Sequence, residues 1–143
     1  MSSGDISMAA KDFSFTNQKQ ETDIKEKQAI LAVDNEADTK ILIDCLKPIR
    51  YRILGKTTNG NEAMEMARKH KTGLFFLDYD IATLGSMEAL EKLRANNAKM
   101  KVIVLANKLD KDQVKDAKQR GVVGFLAKPL NDDAVKKVIS KLI

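Results

Sequence analysis

The chain has one cysteine in 143 residues. No disulfide can form within it, and such sparing use of thiols suits a reducing compartment. It also has one histidine, His70, set in the polar stretch "RKHKTG". That residue reads as a surface group at a helix end rather than a metal ligand or a catalyst. No apolar run is long enough to span a bilayer, and the N-terminus lacks the apolar core of a secretory signal. The expected location is cytoplasmic, with no membrane contact. Internal repeats and low-complexity tracts are absent. Neither sign of charge dominates: the net charge is +5, with lysines scattered among acids. This describes a solvated surface better than a nucleic-acid-binding one.

What is present is ordinary in amount and ordered in pattern. Charged residues make up 31% and hydrophobic ones 43%, as in a globular protein long enough for one domain with a sizeable core. Residues 1–28 are mostly polar with no sustained apolar period, and are expected to be a flexible tail. Residues 29–143 form the folded domain. Five short apolar runs punctuate it: "AILAV" (29–33), "YRILG" (51–55), "GLFFL" (73–77), "KVIVL" (101–105) and "VVGFL" (122–126). Four are apolar almost throughout, as strands covered on both faces should be, while "YRILG" is mixed and suits an edge.

Helical stretches alternate with these runs. "ADTKILIDCLKPIR" places Ile41 with Cys45 and Leu42 with Leu46 at i, i+4, and Pro48 limits its end. "NEAMEMARKHK" and "SMEALEKLRANN" follow, the latter with Ser86 as N-cap. "DKDQVKDAKQRG" stops at Gly121. In "NDDAVKKVISKLI", Asn131 caps the helix and acids precede lysines, as the helix dipole prefers. Five strands alternating with five helices make a doubly wound α/β fold around a parallel sheet, because parallel neighbours need right-handed crossovers.

Ligands of such sheets sit beyond the carboxyl ends of the strands. Those ends carry Asp34, Asn35 and Glu36; Asp78, Tyr79 and Asp80; Ala106 and Asn107; and Lys128 and Pro129. Clustered acids repel one another and call for a cation. Hard oxygen donors without cysteine or histidine point to Mg²⁺ rather than zinc. Asp34 also stands where a helix N-cap would, a role that needs no metal.

Over residues 28–143, "ILAVDNE", "NGNEAMEMARKHKTGLFFLDYD", "KVIVLAN" and "GVVGFLAKPL" together resemble the receiver domains of two-component response regulators, of the chemotaxis type. The spacings 78 − 34 = 44 and 128 − 78 = 50 match that pattern. The resemblance implies a flavodoxin-like (βα)5 fold with strand order 2-1-3-4-5 and a cis Lys128–Pro129 bond. It implies a signalling module rather than an enzyme. Asp78 would be the phosphoacceptor, served by a histidine kinase or phosphotransfer protein. Asp34, Asn35, Asp78 and the backbone carbonyl of Asp80 would hold Mg²⁺, and Lys128 would contact the phosphoryl group. Ala106 and Phe125 would be the switch positions. Output would run to a downstream protein through the fourth helix (110–121), the fifth strand and the fifth helix (131–143).

Two departures bear on that expectation. The second member of the acidic pair is Asn35, which removes one charge and should leave Mg²⁺ binding weak or absent. At an effective dielectric near 20, a charge 4 Å away is worth about 4 kcal/mol before desolvation. The hydroxyl usual after strand four is missing at Ala106, and Phe125 holds the aromatic position without a hydroxyl. The rival within the fold is therefore a pseudo-receiver that binds a partner whether or not it is phosphorylated. A flavin- or nucleotide-binding protein would want a Gly- or Ser/Thr-rich phosphate loop after strand one. "DNEAD" puts negative charge there instead. A hydrolase with paired carboxylates would need a second base or an oxyanion device, and neither is visible.

Overall fold

Apolar runs covered on both faces become adjacent parallel strands here. The computed structural model describes residues 27–70, 73–81, 91, 95, 100–108 and 110–143. Its strands are β1 (Gln28–Ala32), β2 (Arg52–Thr57), β3 (Leu74–Asp78), β4 (Lys101–Ala106) and β5 (Gly124–Ala127). They form one parallel sheet in the order β2-β1-β3-β4-β5. The mixed run is indeed at an edge, and every residue of β3 is buried. Four helices are described end to end: α1 (Glu36–Leu46), α2 (Gly60–His70), α3 (Lys111–Gln119) and α4 (Asp132–Leu142). Glu91 and Ala95 of "SMEALEKLRANN" are helical; Ser86, proposed as its cap, lies outside the described residues. Of the expected tail only Lys27 and Gln28 are described, and Gln28 already opens β1.

Alternation along each strand divides the core between the two faces of the sheet. Leu31, Phe76, Ile103 and Leu126 pack with Leu42 and Leu46 of α1 and Val135 and Ile139 of α4. Ile30, Phe75, Leu77 and Val104 pack with Ala63 and Ala67 of α2 and Ala117 of α3. Gly124 permits the close approach of α4, since a Cβ there would come within 3.0 Å of Val138 Cγ1.

Helix ends show how local chemistry fixes the boundaries. The Asn131 side chain accepts from Ala134 N at 2.9 Å to cap α4, and Asp110 caps α3 by accepting from Asp112 N at 2.7 Å. At the far end of α4, Lys101 Nζ donates to the Leu142 carbonyl, a cation at the negative end of the helix dipole. Gly121, with φ 99°, follows α3 as expected. Beyond α1, Arg50 N donates to Lys47 O at 3.0 Å and Tyr51 N to Leu46 O at 3.1 Å. This turn puts Arg50 at φ 64°, where an L side chain costs roughly 1–2 kcal/mol. Arg50→Gly is expected to stabilise the fold by about 0.5–1 kcal/mol, after allowing for glycine's freer unfolded state. A lower urea midpoint for the variant would refute this.

Candidate functional site

Four chain turns meet at the carboxyl edge of the sheet, each placed there by its strand. β3 ends on Asp78, which has no solvent exposure. One of its oxygens, Oδ1, accepts the Asp80 N–H at 2.9 Å. The other, Oδ2, accepts Lys128 Nζ at 2.6 Å and the Asp34 N–H at 3.4 Å. Lys128 follows β5, its side chain only 5% exposed. Its ammonium also donates to Asp34 Oδ1 at 3.0 Å and Asp80 Oδ2 at 3.1 Å. The Lys128–Pro129 bond is cis, and Lys128 N donates to Ala106 O at 2.8 Å.

Three carboxylates therefore face one ammonium, which leaves two negative charges uncompensated. Oxygens of Asp34, Asp78 and Asp80 lie within 4.8 Å of one another. A compact set of hard oxygen donors with that excess charge fits a divalent cation such as Mg²⁺. An open pocket of about 270 Å³ lies beside them, lined by Asp34, Asn35, Asp38, Asn107, Lys128 and Pro129.

The protonation equilibria follow from burial and pairing. The hydrogen bond from Lys128 holds the Asp34 carboxyl below its ordinary value, against a smaller opposing effect of burial. Burial pushes Asp78 up, and Lys128 and the Asp80 N–H only partly offset it. Burial alone would lower the Lys128 ammonium. Its hydrogen bonds to Asp78, Asp34 and Asp80 outweigh this and hold it above an ordinary lysine.

Some residues occupy places other than those expected, while others, His70 among them, stand where the sequence puts them. The N-cap of α1 is Asn35, not Asp34: its Oδ1 accepts the Asp38 N–H at 2.8 Å. An amide caps as well as a carboxylate does, and Asp34 is left free to pair with Lys128. Asp80 brings its carboxylate to the site, where the resemblance implied only its backbone carbonyl. Asn107 Nδ2 donates to that carboxylate at 3.0 Å, which joins the turn after β4 to the acidic group. Ala106 is buried at the end of β4. Together with Tyr79, Val114 and Phe125 it borders a narrow, mostly apolar recess. Phe125 is half-buried and packs against the α2–α3 side of the core. His70 is exposed at the end of α2. Asp38 was not singled out by sequence reasoning, yet it is 2% exposed and its Oδ1 accepts the Leu130 N–H at 3.0 Å. Its one sequence signal was an acid on the inward side of an amphipathic helix.

This constellation on this sheet defines a class of protein. Residues 30–140 match the response regulator receiver domain family, and the chain belongs to that family. The chemotaxis protein CheY of Bacillus subtilis is 27% identical over 115 residues, covering 80% of this chain and 96% of that protein. Sporulation initiation phosphotransferase F of the same organism is 23% identical over 117 residues, covering 81% and 94%. A solved response regulator from Thermotoga maritima superposes with a TM-score of 0.70 at 22% identity, covering 81% of this chain and 96% of that one, and shares its fold. The protein is thus a receiver domain of two-component signal transduction, with the flavodoxin-like architecture of its relatives. No helix among the described residues is long and apolar enough to cross a membrane.

Proposed function

We propose that Asp78 accepts a phosphoryl group from a histidine kinase or phosphotransfer protein, and that this chain does so as an atypical receiver with a weakened switch. The observation that carries the reading is the fully buried Asp78 carboxylate, held at 2.6 Å by Lys128 between the carboxylates of Asp34 and Asp80. An Asp78 oxygen attacks phosphorus, the P–N bond of the donor phosphohistidine breaks, and an acyl phosphate forms. The Asp80 N–H and Lys128 hold the carboxylate in place for the attack. Lys128, tethered at its backbone to β4, turns its charge toward the developing phosphoryl oxygens. Asp34, Asn35, Asp78 and Asp80 are the residues that would hold Mg²⁺, which would neutralise those oxygens when bound. Its affinity is weak, because position 35 offers an amide and Lys128 already competes for the same oxygens.

Output runs through α3, β5 and α4 to a downstream protein. Val123, 44% exposed just before β5, supplies apolar surface near it. The test is Mg²⁺ plus acetyl phosphate, with the intact mass of the chain as readout. One phosphoryl adduct that disappears in Asp78→Asn is expected. An adduct that survives that substitution, or none at any Mg²⁺ concentration, would favour the constitutive binding module. Ala106 is the observation that speaks for that alternative.

A further inference from the structure

The acceptor chemistry leaves one buried acid without a part. Among the described residues the buried acids are Asp78 and Asp38. Asp38, in the first turn of α1, is bonded on two sides. Its Oδ1 accepts the Leu130 N–H at 3.0 Å, and its Oδ2 accepts Asn35 Nδ2 at 3.1 Å. Its own N–H goes to Asn35 Oδ1 at 2.8 Å.

Both contacts lead to the acceptor site. Pro129 has no N–H, so Leu130 is the first backbone donor beyond Lys128 that can be tied down. On the other side, Lys128 N is bonded to Ala106 O at 2.8 Å. The backbone that carries the ammonium is thereby fixed between β4 and α1. The two bonds to Asn35 settle the orientation of its amide: oxygen toward the Asp38 N–H, nitrogen toward the Asp38 carboxylate. A carboxylate at position 35 would set an acceptor against an acceptor, with like charges in near contact and partly shielded from water.

We propose that Asp38 is a positioning residue of the acceptor site and that Asn35 and Asp38 act as one unit. The acid missing from position 35 stands one helical turn along α1, where it fixes the turn bearing Lys128. The inference rests on the reading of Asp78, Lys128 and their acidic neighbours given above. It explains why position 35 is an amide: with an acid at 38, the amide is the complementary partner. The unit has an inverted counterpart. In Asn35→Asp/Asp38→Asn, the carboxylate at 35 still accepts the N–H of residue 38, the amide at 38 donates to it, and the amide oxygen still accepts the Leu130 N–H.

The test compares the full chain with Asn35→Asp, Asp38→Asn and the double swap. Unfolding is followed at neutral pH in a chelator, and amide spectra are followed during titration with Mg²⁺ alone. Each single substitution is expected to lower the folding equilibrium constant about tenfold, the loss of one buried hydrogen bond. The swap should recover most of that loss. It should also bind Mg²⁺ about tenfold more tightly than wild type, because it moves a charge toward the carboxylate cluster. Asp38→Asn should shift the Lys128 and Leu130 amide resonances, and the swap should return them toward wild-type positions. Single effects that simply multiply in the double variant, or Lys128 resonances unmoved by Asp38→Asn, would overturn the proposal. If the single variants do not fold, a folded swap supports the unit and an unfolded swap overturns it. If no form responds to Mg²⁺, the metal reading falls, while the stability cycle and the Lys128 shifts still decide the pair.

Discussion

Lys128→Met is expected to destabilise the protein by about 3–5 kcal/mol at neutral pH, the usual result of removing one partner from a buried ion pair. The thioether side chain keeps much of the lysine's bulk, so the loss comes from charge. Asp78 is fully buried and Lys128 nearly so; Asp34 and Asp80, at 36% and 46% exposure, remain hydrated and add little. The pH dependence separates this account from a packing defect. In wild type the Asp34 carboxyl is depressed by Lys128. Its contribution is present above the unfolded carboxyl value and lost as pH falls through the folded one. Asp78 is raised by burial, so its ionised form costs stability, and that cost disappears as pH falls below the unfolded value. Without the ammonium, Asp34 loses its depression and Asp78 rises further. The deficit of Lys128→Met should therefore be largest at neutral pH and shrink as pH falls toward 4. Mg²⁺ should also stabilise the variant more than wild type, because three carboxylates without a competitor bind the ion better and binding to the folded state adds stability. Urea unfolding at several pH values, with and without Mg²⁺, measures both. A deficit independent of pH and Mg²⁺ would mean that the cluster is not electrostatically loaded.

Much of this molecule is legible in its sequence because burial on both faces leaves continuous apolar runs. "LFFLD" could hardly be anything but a central strand, and all five residues are buried. Once five such runs alternate with amphipathic helices, handedness and crossover rules leave few topologies, and the strand ends collect Asp34, Asp78 and Lys128. What was not legible depends on side-chain direction over short distances. Asp34 and Asn35 are adjacent and both are competent caps, and only the backbone turn decides that the amide caps while the acid pairs with Lys128. Asp80 could be counted as a carbonyl donor, but its carboxylate joins the cluster because the chain makes a 3-10 turn (Tyr79–Ile81) straight after β3. Asp38 is one of two acids in the first turn of α1, a place the helix dipole favours whether or not the acid is buried. Its partner is the N–H of Leu130, ninety-two positions later and just past β5, and no local pattern encodes that pairing. The Lys101–Leu142 contact is invisible for the same reason.

Beryllofluoride with Mg²⁺ is expected to leave the turn after β4 and Phe125 nearly unchanged in the wild-type chain, even when Asp78 is occupied. A ligand shifts a two-state equilibrium only through contacts that differ between the states. The contact usual at this place is a hydroxyl at position 106, and a hydrogen bond to a charged group is worth about 1.5–3 kcal/mol. Its loss at Ala106 is expected to change the active-to-inactive ratio by about tenfold or more. The neighbouring Asn107 is held by Asp80 at 3.0 Å instead, so its turn is tied to the acidic cluster before any phosphoryl group arrives. Supplying the hydroxyl should restore the response only where the metal also binds. Ala106→Thr alone should respond slightly. Ala106→Thr combined with the Asn35→Asp/Asp38→Asn swap should show amide shifts across residues 106–128 at millimolar Mg²⁺. Asn35→Asp with Ala106→Thr but without the change at 38 should respond less than the triple variant, because the acid at 38 opposes the new charge. Large shifts over 106–128 in the wild-type chain at modest Mg²⁺ would show an intact switch and remove the case for an atypical receiver. A triple variant that stays silent while binding Mg²⁺ tightly would move the block from position 106 to Asn107, and Asn107→Ala in that background would then be expected to release it.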